Sequence, residues 1–143
     1  MANEPSPAYP PLTPEQEADL VQRAIQARQW AYAPYSRYRV GAALLTASGK
    51  VYDGVNVENA AYPDSICAER TAAVKAISEG EREFVAVAVA SATGGSPCGS
   101  CRQVLSEFGV NAQVIIVDGG GAIVHRATVR DLLPLAFGPD NLP

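Results

Sequence analysis

Apolar positions along the chain are spaced in two different ways, and this spacing predicts where helices and strands lie. Residues 13–16 contain the threonine, proline and glutamine of a helix start, and an apolar stripe of helical period follows over residues 20–27. This helix should end before Pro34, because a residue preceding proline disfavours the helical conformation. Residues 1–12, which are rich in proline, are predicted to form a flexible N-terminal arm, and residues 13–143 a single domain.

Shorter apolar runs are typical of strands. In chain order, the predicted strands are 40–46, 51–58, 84–90, 114–117 and 122–126. The first two flank the turn residues Ser48 and Gly49, as the strands of a hairpin do. The run over 84–90 alternates valine and alanine and is apolar on both faces. It therefore indicates a central strand, with one face small enough for a helix to approach closely.

Three further helices are predicted, over residues 67–78, 99–108 and 128–133. Gly80 and Gly109 follow the first two helices, where glycine commonly ends a helix. The resulting order of elements, α-β-β-α-β-α-β-β-α, predicts an α/β fold. We expect a three-layer α-β-α sandwich around a mixed five-stranded sheet.

Composition narrows the class of protein. The chain has 143 residues, of which 48% are hydrophobic and 18% charged, as in a globular domain. It has no apolar run of membrane-spanning length and no signal peptide at its start, so we expect a cytoplasmic protein with no membrane partner. A net charge of −4 counts against a nucleic-acid partner. Three cysteines, an odd number, favour metal or redox chemistry in a reducing compartment over a disulfide framework.

Two of these cysteines, Cys98 and Cys101, lie three positions apart at the start of a predicted helix. Both sulfurs then fall on one side of the first turn, where the helix dipole favours thiolates. This motif alone is equally typical of half a zinc site and of a thioredoxin-like redox pair.

Cys67 favours the zinc interpretation, because it begins the preceding helix and a redox pair would not need it. Three sulfurs with an open fourth position are typical of a catalytic zinc ion, whereas a structural zinc ion needs four ligands. His125 is the only candidate for a fourth ligand, although it is more simply explained as an ordinary strand residue. Glu69, two residues after Cys67, is on a different side of the helix and could act as a general acid/base; alternatively, it complements the helix dipole.

The combined motifs resemble the small homotetrameric zinc-dependent cytidine deaminases of pyrimidine salvage, from about residue 15 to residue 142. A Pro-Cys-x-x-Cys run with a nearby glutamate is known from zinc deaminases in general. The stretches that carry the resemblance are Pro34–Ser36, Val40–Ala43, Gly54–Ala60, Cys67–Ala72, Pro97–Leu105, Leu132–Pro134 and Phe137–Pro139.

The resemblance implies a cytidine-deaminase-like fold and a single zinc deaminase domain over residues 13–143. It also implies that one zinc ion per chain, bound by Cys67, Cys98 and Cys101, supplies a hydroxide that attacks C4 of cytosine. Glu69 would transfer the protons, and the products would be uridine or deoxyuridine and ammonia. Arg70 would hydrogen-bond the sulfurs and offset their charge. Arg102, which directly follows Cys101, would lie next to the metal ligands without binding the metal.

The resemblance further implies a set of substrate-binding residues: Tyr38, Asn56, Glu58, Ala68, Tyr62 and Phe137. Asn56 and Glu58 would hold the sugar hydroxyls, and the backbone of Ala68 the base carbonyl. Without the resemblance, the first two would more simply be the solvent face of an edge strand. Tyr38 stands where the family commonly has phenylalanine, so its added hydroxyl needs a partner if it is buried.

Tyr62 and Phe137 are expected to reach the sites of neighbouring subunits in a homotetramer. From spacing alone, Phe137 would instead cover the core of its own chain.

Three other functions fit part of the pattern. A blasticidin-type deaminase of another aminopyrimidine would use the same zinc motif. A non-catalytic zinc-stabilised module would use His125 as its fourth ligand, and a thioredoxin-like oxidoreductase would work without zinc. A deaminase of RNA or DNA is disfavoured by the acidic charge balance.

Overall fold

The structure, a computed structural model, describes residues 6–143. Its regular elements follow the predicted order and are α1 (Pro14–Arg28), β1 (Val40–Thr46), β2 (Val51–Val55), α2 (Ala68–Ser78), β3 (Phe84–Ser91), α3 (Gly99–Gly109), β4 (Gln113–Val117), β5 (Ile123–Thr128) and α4 (Val129–Leu132). Single 3₁₀ turns occur at Tyr62–Asp64 and Pro139–Asn141.

The five strands form one sheet in the order β2-β1-β3-β4-β5. Strands β3 and β4 are parallel, and the other neighbouring pairs are antiparallel. The predicted α/β fold with a mixed five-stranded sheet is therefore confirmed. The parallel pair is connected through α3, as a crossover between parallel strands requires.

The central strand β3 separates two apolar layers. One layer lies between the sheet and α1. It contains Ala86, Ala88 and Ala90 of β3 together with Leu20 and Ala24 of α1. Val87 and Val89 face the opposite layer, which holds α2 and α3. Alternation of small and larger side chains along β3 thus gives each face of the sheet its own helix, as the valine–alanine pattern predicts.

Glycines bring the helices unusually close to the sheet at two positions. A Cβ atom at Gly54 of β2 would lie 2.5 Å from the backbone nitrogen of Ala72 in α2. A Cβ atom at Gly41 of β1 would lie 2.5 Å from the backbone nitrogen of Arg28 in α1. Because backbone atoms cannot yield as a flexible side chain can, only glycine permits this approach. Gly54 therefore helps to fix the position of α2, which begins at the site described below.

The prediction that a strand extends to Glu58 is wrong, since β2 ends at Val55. Beyond Asn56 the chain leaves β1 and bridges two other segments. Val57 exchanges backbone hydrogen bonds of 3.0 and 2.9 Å with Ile66, and the Glu58 N–H donates to the carbonyl of Tyr32 at 2.8 Å. New backbone partners, which local periodicity does not reveal, end the hairpin early.

The last strand and helix are also shifted from their predicted bounds. Ala122 belongs to the preceding turn, where its N–H donates to Asp118 Oδ1 at 3.0 Å. The strand instead continues to Thr128, whose hydroxyl accepts from the Asp131 N–H at 3.1 Å and caps α4.

The predicted arm over residues 1–12 lies partly outside the described residues. In the part that is described, the Tyr9 hydroxyl donates to Glu83 at 2.6 Å. None of the helices found between residues 6 and 143 has the length and apolarity that crossing a bilayer requires.

Candidate functional site

Two helix starts converge at the candidate site. Cys67 is the N-cap of α2 and Cys98 the N-cap of α3, and both have the extended backbone of a cap residue. Cys101 follows in the first turn of α3 and is fully buried. Cysteine at both caps is unusual, because these positions favour Ser, Thr, Asp and Asn.

The three sulfur atoms lie within 4.8 Å of one another. Cys67 Sγ is 3.8 Å from Cys98 Sγ, and Cys98 Sγ is 3.5 Å from Cys101 Sγ. Tetrahedral zinc with Zn–S bonds of about 2.3 Å separates its sulfur ligands by roughly 3.8 Å. The cluster therefore fits zinc. Across residues 6–143 it is the one group of three or more potential ligands, and His125 is exposed on β5, outside it.

The thiol groups of Cys67 and Cys101 have pKa values shifted in opposite directions. The pKa of the Cys67 thiol is lowered to about 5, first by hydrogen bonding from Cys101 and further by Arg70, whose Nη2 is 3.4 Å from the Cys67 sulfur. The pKa of Cys101 is raised, because its proton is held against Cys67 and because the thiol is buried. Sulfurs this close cannot all ionise without a cation, so metal binding must displace protons from them.

Glu69 is the second residue of α2 and only 4% exposed. Burial raises the pKa of its carboxyl group, and the neighbouring negative charge of Cys67 raises it further. Its carboxyl group lines the same cavity as Cys67 and Cys98. A buried carboxyl group beside a metal-binding cluster is well suited to proton transfer.

A cavity of about 300 Å³ is lined by two of the three cysteines. Its lining residues come from the loop before β1 and the start of that strand, the segment between β2 and α2, the start of α2, the end of β3 and the loop that follows β3. They are Ser36, Tyr38, Val40, Asn56, Glu58, Ile66, Cys67, Ala68, Glu69, Val89, Ser91, Gly95, Ser96 and Cys98. Four of the six predicted substrate-binding residues are among them: Tyr38, Asn56, Glu58 and Ala68.

The polar side chains on the far wall are held in place by the backbone. Glu58 accepts from the N–H groups of Tyr35 and Ser36, at 2.9 and 3.1 Å, and from the Ser36 hydroxyl. The Ser36 hydrogen bond holds the pKa of Glu58 below its ordinary value, so the carboxylate is charged at neutral pH. Asn56 donates to the carbonyl of Tyr38 at 2.7 Å and accepts from the Val40 N–H at 2.9 Å. Both side chains are thus fixed at the cavity wall.

The hydroxyl of Tyr38 is hydrogen-bonded, although the residue as a whole is 37% exposed. It donates to Ser91 Oγ at 2.8 Å and lies 2.9 Å from Thr93 Oγ1. Ser91 Oγ also accepts from the Gly95 N–H at 3.1 Å. The tyrosine hydroxyl therefore connects this wall of the cavity to the loop that leads into Cys98.

Sequence reasoning did not assign a role to Ser36 or Ser91, although both line the cavity. The signal for Ser91 is a polar residue directly after the apolar run that forms β3. The signal for Ser36 lies in no local pattern, because its partner Glu58 is distant in sequence.

Tyr62 and Phe137 do not line this cavity. The Tyr62 side chain is 70% exposed and its ring centroid is 5.8 Å from that of Tyr35. Phe137 is 59% exposed, and its carbonyl accepts from Gln103 Nε2 at 2.9 Å. The interpretation that Phe137 covers its own core does not fit this exposure.

Arg70 and Arg102 differ in their contacts. Arg70 reaches the sulfur of Cys67, as described above. Arg102 instead donates to backbone and hydroxyl oxygens: Pro97 O at 2.7 Å, Leu132 O at 2.6 Å and Ser96 Oγ at 2.7 Å. It supports the loop that carries Cys98 rather than the sulfurs themselves.

Comparison with known proteins agrees with this geometry. Residues 14–117 match the family model of the cytidine and deoxycytidylate deaminase zinc-binding region. A cytidine deaminase of Sporosarcina psychrophila is 46% identical over 125 residues, which cover 86% of this chain and 92% of that protein. A cytidine deaminase of Mycobacterium tuberculosis is 43% identical, with 84% and 88% covered.

The crystal structure of cytidine deaminase from Burkholderia pseudomallei aligns with a TM-score of 0.80 and 45% identity. The alignment covers 88% of this chain and all of the Burkholderia pseudomallei chain.

Purified protein should contain about one zinc ion per chain, bound by the three cysteines. Replacing Cys98 with Ala should remove the zinc and lower thermal stability, because two crowded sulfurs would remain without their cation. His125→Ala is the matched control and should retain zinc. Metal content is measured by inductively coupled plasma mass spectrometry. Loss of zinc from His125→Ala, or its retention by Cys98→Ala, would contradict the three-cysteine site.

Proposed function

Because the chain belongs to the cytidine and deoxycytidylate deaminase family, we propose that it hydrolyses cytidine and deoxycytidine to uridine and deoxyuridine, with release of ammonia. We place this activity in cytoplasmic pyrimidine salvage. The observation that carries the proposal is the cluster of three sulfurs, two of whose cysteines line a nucleoside-sized cavity together with the buried Glu69. The names of the relatives agree with this substrate class.

The residues that would hold the metal are Cys67, Cys98 and Cys101. When bound, zinc is a Lewis acid that lowers the pKa of a coordinated water from about 15.7 toward 7. Three thiolates on a divalent ion leave a net negative charge, which weakens this effect. Arg70 offsets part of that charge through its contact with the Cys67 sulfur.

Glu69 is the proposed general acid/base. It would accept a proton from the attacking water and transfer it to N3 of the cytosine ring. It would then take the second proton from the hydroxyl group added at C4 and deliver it to the departing amine, which leaves as ammonia while the C4 carbonyl forms. The sum is water and cytidine giving uridine and ammonia. The burial of Glu69 supports this role, because a proton shuttled in a site shielded from solvent is not lost to bulk water.

The same cavity supplies groups that suit a nucleoside. The backbone N–H of Ala68, at the first position of α2, lies outside the pattern of hydrogen bonds within the helix and would donate to the base carbonyl. Tyr38 would pack against the nucleoside through its ring. Asn56 and the charged Glu58 would bind the sugar hydroxyls, with Glu58 as the stronger acceptor.

We also propose that the working form is a homotetramer of closed, D₂ symmetry, in which Tyr62 and Phe137 reach the sites of neighbouring subunits. Support comes from their exposure, because exposed aromatic side chains often mark an interface. Tyr35 and Tyr62 lie side by side next to Glu58 at the cavity mouth. A partner subunit would cover these rings and shield the site from water.

Glu69→Gln should lower kcat for cytidine at least roughly 10²–10⁴-fold, because one group would otherwise perform several proton transfers. The variant should keep its zinc and its fold, since the amide has nearly the same shape. Activity is followed as the loss of cytidine's ultraviolet absorbance, together with ammonia release. Glu79→Gln, at the far end of the same helix, is the control and should retain full activity. Absence of turnover in the zinc-loaded wild type would refute the proposed function. Near-normal turnover by Glu69→Gln would refute the proposed role of Glu69 as general acid/base.

Glu58→Ala should reduce kcat/KM for cytidine by roughly 10- to 100-fold, the effect of losing hydrogen bonds to a charged group. Free cytosine has no sugar, so it should be a poor substrate for wild type and variant alike, with little difference between them. Glu107→Ala, which removes an exposed carboxylate on α3, is the control. A wild type that prefers cytosine to cytidine would argue against sugar recognition and favour a deaminase of another aminopyrimidine.

Shared sites can be tested by complementation. Glu69→Gln and Phe137→Ala should each be weakly active, and subunits are exchanged between them by mild denaturation and refolding. Mixed tetramers contain some sites with an intact Glu69 and an intact neighbouring Phe137, so activity should exceed the mean of the parents. Mixing Glu69→Gln with Glu69→Ala is the control and should give no gain. Confirmed mixing without a gain, or full activity in a monomer, would mean that each site is built within one chain.

A further inference from the structure

Arg102 occupies an electrostatically unfavourable position. It lies at the end of the first turn of α3, where the helix dipole disfavours a cation. The three oxygen acceptors at 2.6–2.7 Å compensate for this, and each is bound by a different guanidinium nitrogen. All three nitrogens of the guanidinium group therefore donate hydrogen bonds, whereas an arginine that only balances surface charge does not need fixed partners.

The three acceptors lie in two segments of the chain, the loop before α3 and the end of α4. Ser96 lines the cavity, Pro97 precedes the ligand Cys98, and Leu132 ends α4 near the C-terminus. Gln103, the next residue along α3, donates to the carbonyl of Phe137. Two consecutive side chains of the cysteine-bearing helix therefore bind the C-terminal segment, which we define as residues 132–137.

The exposure and the backbone conformation of this segment indicate that contacts with other parts of the protein hold it in place. Leu135 is fully exposed, and its φ of 55° is a conformation that residues other than glycine seldom adopt. Phe137 also presents most of its side chain to solvent. A strained and exposed segment keeps one conformation only when surrounding contacts determine it. The bonds from Arg102 and Gln103 are contacts of this kind.

We propose that Arg102 and Gln103 are positioning residues that couple metal binding to the order of the C-terminal segment. Ligation of Cys98 fixes the Ser96–Pro97 segment, which carries two of the three acceptors of Arg102, the Pro97 carbonyl and the Ser96 hydroxyl. The guanidinium is then held in the orientation that binds Leu132, and α3 presents Gln103 to Phe137. Loss of the metal frees the loop, loosens the guanidinium and releases the segment. The inference rests on the proposed function only through the zinc site.

Hydrogen–deuterium exchange of peptides covering residues 132–143 tests this coupling. Four samples are compared: wild type and Arg102→Gln, each with zinc and after chelation. Removing zinc from wild type should speed exchange of these peptides by roughly tenfold, and Arg102→Gln should do the same with zinc bound. Removing zinc from Arg102→Gln should then add little. The strand peptide over residues 84–91 should exchange alike in all four samples.

Two further variants sharpen the comparison. Arg130→Gln is the matched control, because Arg130 lies on α4 and, among the described residues, its guanidinium hydrogen-bonds only Asn111 Oδ1, at 3.4 Å. It should keep the wild-type response to zinc. Gln103→Ala has an exposed side chain and should fold normally, so it provides the test if Arg102→Gln does not fold. It should speed exchange around Phe137 with zinc bound.

All samples are compared at a concentration at which sedimentation gives the same mass, so that loss of a subunit interface is not mistaken for release of the segment. Strictly additive effects of zinc removal and Arg102→Gln, or wild-type exchange in Gln103→Ala, would overturn the coupling. Cytidine turnover is measured separately. A zinc protein that shows the coupled exchange pattern but no turnover would refute only the proposed function. An active enzyme that lacks the coupled exchange pattern would refute only the coupling.

Discussion

Mutual repulsion among three sulfurs is the constraint on which the rest of the site depends. Two helices begin with a cysteine at the same edge of the sheet, and a third sulfur lies one turn further along, within 4.8 Å of the others. Without a cation the charge concentrates on Cys67, whose pKa is about 5, while Cys101 keeps its proton. A divalent ion removes this conflict and links α2 to α3. Glu69, buried in the first turn of the helix that Cys67 begins, lines the same cavity as Cys67 and Cys98.

The placement of these helices depends on small residues elsewhere. The alanine face of β3 accepts α1, and the absence of a side chain at Gly54 lets the α2 backbone pack directly on β2. A larger residue at Gly54 would push α2 outward and displace Cys67 from the other two sulfurs. Close packing of the sheet is thus part of how the metal site is built.

The sequence was most informative where one local pattern determines one element. The alternating run in β3, the capped start of α1 and the cysteines that begin α2 and α3 each predicted structure from neighbouring residues, and the α/β fold and the zinc family are confirmed. The early end of β2 could not be predicted, because Val57 and Glu58 turn to partners that are distant in sequence. The same holds for Arg102, whose acceptors are 5, 6 and 30 residues away. For Tyr62 and Phe137, which lie outside the cavity of one chain, no pattern within a single chain indicates what they contact.

The hydrogen bonds around Glu58 have a consequence for the thermodynamics of recognition. Two backbone amides and the Ser36 hydroxyl already hold this carboxylate in one orientation, and Asn56 is held from both ends by the backbone near Tyr38. The rotational entropy of both side chains is therefore lost when the chain folds, so an incoming ligand does not have to offset that cost. Such preorganisation favours rigid-body association. It would also make the proposed sugar-binding wall slow to adapt to a ligand with a different arrangement of hydroxyl groups.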